Sequence, residues 1–169
     1  MKWSRGVKMR KHSIIIRTAT PDDSGFILSL APRFVGFALP KGRRKRETLA
    51  GIRADIERAL RDTPSADHFF VAGEADAQRV GFLHLQVQRD FFTGAPACHI
   101  SDLAVAAGQD GRGIGRALLA HAEAWAKKHR CKLLTLSVFP ANTRARALYE
   151  RTGFTTDLIR MTKPLPRGH

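Results

Sequence analysis

Apolar residues recur along the chain with two periods, and the period of two marks the strands. Short runs rich in β-branched and aromatic residues, bounded by turn residues, are typical of half-buried strands. Such runs lie at residues 13–17, 68–72, 80–87, 99–106, 133–138 and 154–163. Because only a short turn separates the second run from the third, this pair is predicted to form a hairpin.

Apolar residues at spacings of three and four predict the helices. The amphipathic stripes lie at residues 47–62, 114–130 and 142–152. An earlier helix is predicted to begin at Thr20, a suitable N-cap, and to end or kink at Pro32. The resulting order, β-α-α-β-β-β-α-β-α-β, mixes hairpins with crossover connections. The sequence therefore predicts an α/β fold with a mixed central β-sheet flanked by helices.

The length of 169 residues suits a single domain, which the predicted elements place at residues 13–165. A hydrophobic content of 43% and a charged content of 26% exclude a mainly disordered chain. Residues 1–12 are basic and lack the apolar region of a signal peptide, so they are predicted to form a flexible arm. No apolar run reaches about 18 residues, and no membrane-spanning helix is expected.

The charge balance is strongly basic, with 29 Lys and Arg against 15 Asp and Glu and a formal net charge of +14. Such a field attracts anions such as nucleic acid, anionic membrane or a phosphorylated cofactor. Much of the excess lies in residues 1–12 and 41–46. The first segment has a single aromatic residue, Trp3, and the second has none, so neither has a series of base-stacking aromatic residues between its basic ones. Each segment is either a solvated stretch or a surface that contacts an anionic partner.

Two cysteines, Cys98 and Cys131, fit neither a CxxC pair nor a disulfide framework. Two buried thiols in a reducing compartment are the simpler interpretation, so we expect a cytoplasmic protein. We predict no metal site. The sequence leaves open whether the protein is a monomer or a homodimer.

Four glycines, at positions 108, 111, 113 and 115, lie between a predicted strand and a predicted helix. Glycine allows close approach of a ligand, and the free N–H groups at a helix N-terminus suit phosphate. The sequence fits neither a P-loop nor a GxGxxG dinucleotide fingerprint. Ile114 stands where a P-loop requires Lys, and Arg116 and Leu118 stand where the fingerprint requires its last glycine. The alternative is a tight turn that binds nothing.

Two motifs in this half of the chain resemble those of the GNAT acetyltransferases. Leu103–Val105, followed eight residues later by Gly113-Ile-Gly-Arg-Ala-Leu-Leu, resembles the first of these motifs. The second, N-x-x-A-x-x-x-Y-x-x-x-G-F, is matched by Asn142, Ala145, Tyr149, Gly153 and Phe154. The resemblance implies a GNAT-like fold in which two parallel central strands, here 99–106 and 133–138, splay apart.

The resemblance also implies acetyl-CoA as cosubstrate. Its pyrophosphate would lie on the backbone of the glycine turn, and its pantetheine arm would pair with the edge of the first central strand. A backbone N–H near Leu103 would polarise the thioester carbonyl. The implied cofactor-binding residues are Leu103, Val105, Gln109, Gly111, Arg112, Gly113, Ile114, Gly115, Arg116 and Asn142.

For catalysis, the resemblance assigns Tyr149 as the acid that protonates the leaving thiolate. The base that takes the proton of the amine is Asp102, with His99 as an alternative and no dedicated base as a third. Their separation of three places Asp102 and His99 on opposite faces of a regular strand, unless a bulge intervenes.

One position departs from the family pattern. Asp110 stands where the family usually has Gln or Arg. A carboxylate beside a pyrophosphate is expected to weaken binding, although Arg112 or Arg116 would offset its charge.

The sequence as a whole favours an acetyl-CoA-dependent N-acetyltransferase that acts on a primary amine by direct attack in a ternary complex. The basic surface argues against strongly cationic acceptors such as polyamines. Two alternatives are a non-catalytic acyl-CoA sensor and a basic nucleic-acid- or ribosome-binding protein on the same fold.

Overall fold

A computed structural model describes residues 13–62, 66–74 and 78–165; the predicted arm at 1–12 lies outside them. The strands are β1 (Ile15–Thr18), β2 (Asp67–Gly73), β3 (Arg79–Arg89), β4 (Pro96–Val105) and β5 (Leu133–Leu136). The helices are α1 (Ser24–Ser29), α2 (Lys45–Arg61), α3 (Ile114–Lys128) and α4 (Thr143–Arg151). Short 3-10 turns lie at Pro21–Asp23 and Ala31–Val35.

The five strands form one sheet in chain order. Strands β1 to β4 pair antiparallel; the connections from β2 to β3 and from β3 to β4 are short, whereas α1 and α2 lie between β1 and β2. Strands β4 and β5 pair parallel through the crossover helix α3. The α/β class and the mixed sheet predicted from the sequence are therefore confirmed.

Helices cover both faces of this sheet. On one face, α3 packs through Ile114, Leu118 and Ala122 against alternate residues of the central strands, such as Leu83 and Ile100. On the other, α1 and α2 pack against the intervening residues. That second core contains Ile27, Ile56, Phe69, Val71, Phe82 and Ala104. The period-two alternation of β2 and β3 thus supplies two cores from the same strands.

Strand β4 carries a β-bulge in its middle. Ile100 pairs with Leu85 and Asp102 pairs with the adjacent His84, so Ser101 is one extra residue with no partner of its own. Residues 99 and 102 therefore lie opposite positions 86 and 84 of β3, which share one face. The bulge brings Asp102 and His99 to the same face of the sheet.

A buried carboxylate fixes the start of the first helical segment. Asp23 is fully buried, and its oxygens accept hydrogen bonds from Arg17 at 2.7 Å and from the backbone N–H of Thr20 at 2.7 Å. Arg79 on β3 adds an ion pair at 2.8 Å. The hydrogen bond from Arg17 holds the pKa of Asp23 well below its usual range, against the opposing effect of burial.

Most predicted elements are found with shifted ends. The helix predicted from Thr20 is split: Thr20 precedes the 3-10 turn, and α1 ends at Ser29, before Pro32. Gly153 follows α4 with φ of +96°, the left-handed conformation expected of a glycine after a helix.

The prediction of a strand at residues 154–163 is wrong. Only Phe154 packs against the core, while Leu158, Ile159 and Met161 are exposed and no strand is formed there. A run of apolar residues becomes a strand only beside a hydrogen-bonding partner, and β5 ends after four residues.

No helix among residues 13–62, 66–74 and 78–165 combines the length and apolar character needed to cross a bilayer. Cys98 is buried and Cys131 partly exposed, and both thiols are free. Burial raises the pKa of Cys98 to about 12, so this side chain stays a thiol within the core.

Gly81 of β3 is the position where the sheet tolerates a side chain least. A Cβ there would lie 2.8 Å from the carbonyl oxygen of Ala104 and 3.3 Å from side-chain atoms of Ile114 and Leu118. We expect Gly81→Ala to lower the free energy of unfolding by about 1–3 kcal/mol, as overpacking does. Urea unfolding followed by circular dichroism measures this change.

The matched control is Gly51→Ala in α2, where a Cβ meets nothing within 4 Å. Because alanine favours a helix interior over glycine, this variant should be more stable by about 0.5–1 kcal/mol. A Gly81→Ala protein as stable as the wild type would contradict the close packing of β3 against β4 and α3.

Candidate active site

A cleft of about 570 Å³ opens where β4 and β5 separate. The two strands pair only as far as Ile100 and Leu136, after which β4 continues to Val105 while the chain beyond β5 turns towards α4. The splayed parallel strands predicted from the sequence are therefore present, with β5 ending two residues earlier than expected. The backbone edge of β4 beyond Ile100 borders the cleft.

The glycine turn forms one end of this cleft. Gly108, Gly111 and Gly113 have φ values of +77°, +78° and +80°, and a Cβ on any of them would meet nothing within 4 Å. Glycine is therefore required at these positions by backbone conformation, and the space above them is open. Gly113 is the N-cap of α3, so the unpaired N–H groups of the first helical turn face this end of the cleft.

Two residues of the turn have structural tasks of their own. A Cβ on Gly115 would lie 2.9 Å from Leu148, so this glycine lets α3 approach α4 closely. The backbone N–H of Gln109 already donates to the carbonyl of Ala106 at 3.1 Å. Its side-chain oxygen accepts a hydrogen bond from Arg112.

Ion pairs distribute the charges around the turn. Asp110 accepts two hydrogen bonds from Arg33, at 2.8 and 3.0 Å, and lies 3.0 Å from Arg144 of α4. The guanidinium of Arg112 forms an ion pair with Oε1 of Glu74 at 2.5 Å. Arg112 does not line the cleft, whereas Arg116 does. The departure at position 110 thus places two arginines at the mouth of the cleft.

The walls of the cleft contain the other predicted ligand-binding residues. Leu103 and Val105 of β4 line one wall, and their side chains pack against the core on the α3 face. Asn142 lines the opposite wall and caps α4, its Oδ1 accepting from the N–H of Ala145 at 3.3 Å.

Tyr149 lies on the same wall as Asn142, as their spacing on α4 predicts. Its ring packs edge-on against Phe154 with centroids 5.8 Å apart. Burial raises the pKa of Tyr149 above its ordinary value, so the phenol stays protonated through neutral pH.

Only one of the two candidate bases reaches the cleft. Asp102 lines it, whereas His99 is not among the lining residues. The Nδ1 atom of His99 lies 2.8 Å from Oγ1 of Thr135 on β5. Burial lowers the pKa of His99, although Asp102 acts in the opposite direction, so the imidazole is neutral near pH 7.

Two further residues connect to Asp102 that the sequence analysis missed. His84 is fully buried on β3, with Nδ1 2.8 Å from Oδ2 of Asp102 and Nε2 2.7 Å from Oδ1 of Asp67. A single signal was available, because His84 is the one polar side chain in the run from Val80 to Leu85. Among the residues that the structure describes, no group of three or more ligand side chains is placed to hold a metal ion.

Comparison with known proteins gives consistent matches. The sequence model of the acetyltransferase (GNAT) family matches residues 37–154, more than half of the chain. Aminoglycoside N(6')-acetyltransferase type 1 from Stenotrophomonas maltophilia is 30% identical over 142 residues, which cover 82% of this chain and 84% of that protein.

Solved structures share the fold. A putative acetyl transferase from Pyrococcus furiosus superimposes with a TM-score of 0.73 at 24% identity, over 90% of this chain and 100% of that one. Aminoglycoside N-acetyltransferase AAC(6')-Iy, solved in complex with CoA, gives a TM-score of 0.65 at 20% identity, over 91% and 97% of the two chains.

Proposed function

The chain belongs to the acetyltransferase (GNAT) family, and on that premise we propose that it moves the acetyl group of acetyl-CoA to a primary amine by direct attack in a ternary complex. One observation carries the proposal. The free edge of β4, the glycine turn and the protonated Tyr149 surround a single cleft that also contains the carboxylate of Asp102.

The residues at the glycine end of the cleft suit a pyrophosphate. The first N–H groups of α3 and the positive end of its dipole attract an anion, and Arg116 adds charge beside them. Asp110 does not oppose binding in our proposal, because Arg33 and Arg144 together outweigh its single negative charge. Arg112 contributes less than the sequence suggests, since Glu74 holds its guanidinium.

Along the walls, the pantetheine arm would pair with the backbone of Leu103 and Val105, opposite Asn142. When bound, the cosubstrate supplies a thioester whose acetyl carbon accepts the amine nitrogen. A backbone N–H near Leu103 would polarise the thioester carbonyl. Tyr149 would give its phenolic proton to the departing sulfur, and Asp102 would take the proton that the amine must lose.

The charges of the cleft bear on the acceptor. Four arginines line it, at positions 33, 116, 144 and 151, and Asp102 is the lining carboxylate that pairs with none of them. Arg43 of the basic 41–46 segment lies 5.5 Å from the centre of the Phe139 ring, another lining residue. We therefore favour an acceptor with one amine and few other positive charges. The name of the 30% identical relative makes an aminoglycoside the second candidate.

Ligand binding and CoA release test this function together. By calorimetry at moderate salt, we expect the wild-type protein to bind acetyl-CoA at least tenfold more tightly than ATP. Only acetyl-CoA has a pantetheine arm that can pair with the backbone edge of β4. In the presence of acetyl-CoA, release of CoA should be faster with a monoamine than with an aminoglycoside.

Gly113→Asp should raise the Kd for acetyl-CoA at least tenfold, since it places a carboxylate at the N-terminus of α3.

Gly94→Asp is the matched control for Gly113→Asp. Gly94 has φ of +66° and open space around a Cβ, so the variant bears the same backbone cost and charge change away from the cleft. It should bind acetyl-CoA as the wild type does. Equal affinity for acetyl-CoA and ATP would instead make the glycine turn a general anion site and favour the nucleic-acid alternative.

Tyr149→Phe tests the acid. The variant keeps the ring against Phe154 and loses only the hydroxyl, so acetyl-CoA affinity and thermal stability should stay close to wild type. Because the departing thiolate loses its proton donor, kcat should fall by about 10²-fold or more. Steady-state kinetics with acetyl-CoA measure this effect. An unchanged kcat would remove Tyr149 from the mechanism.

Asp102→Asn and His99→Gln separate the candidate bases. Asparagine cannot accept the amine proton, so kcat should fall by about 10²-fold or more near pH 7. His99 lies outside the cleft and bonds Thr135, so its replacement should change kcat less than threefold. The ranking is read from kcat at saturating amine. The reverse ranking would assign the base to His99.

A further inference from the structure

The environment of His84 is unusual for the interior of a sheet. The side chain is 0% exposed, lies on the central strand β3, and stacks on Phe69 with ring centroids 4.0 Å apart. Each of its two ring nitrogens faces a carboxylate oxygen, that of Asp67 on β2 or that of Asp102 on β4. Three adjacent strands thus place carboxylate, imidazole and carboxylate in one row.

A proton count follows from this row. Ionised carboxylates accept hydrogen bonds and donate none, so two of them need two N–H donors. A neutral imidazole has one N–H and an imidazolium has two. The row is therefore satisfied when His84 is positively charged between two negative carboxylates, with a net charge of −1 for the three side chains.

The two ends of the row differ from its centre. The side chain of Asp102 is 12% exposed and opens to the cleft, and that of Asp67 is 16% exposed. Asp67 also accepts a hydrogen bond from Nε2 of Gln86 at 2.8 Å. On Asp102, the ring of His84 occupies Oδ2, while Oδ1 bonds to no residue within the described ranges. That second oxygen is the one available to a ligand in the cleft.

We propose that His84 and Asp67 are positioning residues for the general base. Asp67 keeps both ring nitrogens of His84 protonated, and the resulting cation keeps Asp102 ionised and fixed with one oxygen towards the amine. This inference rests on the proposed function. The proton balance is simple: the amine nitrogen gives one proton to Asp102, and the two N–H protons of His84 stay on the ring.

The surroundings favour this role over a purely structural one. Buried ion pairs are often no more stabilising than apolar residues of the same volume, and the buried Phe82, two residues earlier on the same face of β3, shows that an apolar residue fits there. In the part of the chain that the structure describes, the charged and titratable groups that interact with His84 are Asp67, Asp102 and His99. Of these, His99 is neutral near pH 7 because burial lowers its pKa.

His84→Gln tests the proposal through the pH dependence of kcat/KM for the amine. Glutamine keeps a hydrogen-bonding amide but carries no charge, so Asp102 should remain protonated to higher pH. We expect the acidic limb of the profile to move up by about one to two pH units, with activity partly recovered above it. The Kd for acetyl-CoA should be unchanged.

His121→Gln is the control, because this partly buried histidine of α3 packs on Phe70, with ring centroids 4.5 Å apart, and not on a carboxylate. Its acidic limb should coincide with that of the wild type. If His84→Gln lowers kcat/KM for the amine equally at every pH and leaves the acidic limb in place, the proposal is overturned. Absence of CoA release from the wild-type protein with every amine would count against the proposed function instead.

A measurement on the wild-type protein covers the case in which His84→Gln does not fold. With ¹⁵N-labelled histidine, the ring that shows proximity to Phe69 identifies His84 among the seven histidines. We expect both of its nitrogens to be protonated and slow to exchange at pH 7, and Asp67→Asn to remove that state. A His84 ring with a single protonated nitrogen in the wild type would refute the proposal without any assay of activity.

Discussion

Between Ile100 and Asp102, strand β4 has one residue more than the strand it pairs with, and the geometry of the cleft follows from it. Before the bulge, β4 pairs on both sides, with β3 and with β5. After it, only the pairing with β3 continues. Side chains alternate along a strand, so without the extra residue Asp102 would point to the α3 face. The same bulge thus turns Asp102 towards His84 and lies where the parallel strands part.

The buried and half-buried charges of this protein form two kinds of group: one carboxylate with two arginines, or two carboxylates with one histidine. Asp23 and Asp110 each contact two arginines, so part of the formal charge of +14 is engaged in holding buried or half-buried acids. At His84 the ratio is reversed, with two carboxylates on one base. This row is a local negative centre within a positive surface. A protonated amine is attracted to such a centre, while the arginines around the glycine turn attract phosphate, so under the proposed function the amine and the cosubstrate would be directed to different parts of one cleft.

The parts of the site that the sequence predicts are those encoded over short distances. The glycine turn needs left-handed backbone at Gly111 and Gly113, and Asn142 and Tyr149 share a helix face, so spacing alone places them. The contact of Asp110 with Arg33 joins residues 77 apart, and the row through Asp67 depends on strand register; neither leaves a periodic signal. The bulge itself was an open alternative, because Ser101 is compatible with a regular strand. The wrong prediction of a strand at 154–163 also concerns a contact that is distant in sequence, since a strand needs a hydrogen-bonding partner that composition does not specify.

Acid and base chemistry in one cleft requires environments that push two proton affinities apart. Tyr149 is enclosed by Phe154 and the core on the α3 face, and this burial disfavours the phenolate, which keeps a proton ready for transfer. Asp102 is also half-buried, and its neighbour is an imidazole able to carry a positive charge. In our proposal the imidazole contact fixes one carboxylate oxygen of Asp102 and leaves the other to the amine, and it links β4 to Asp67 on β2, two strands away.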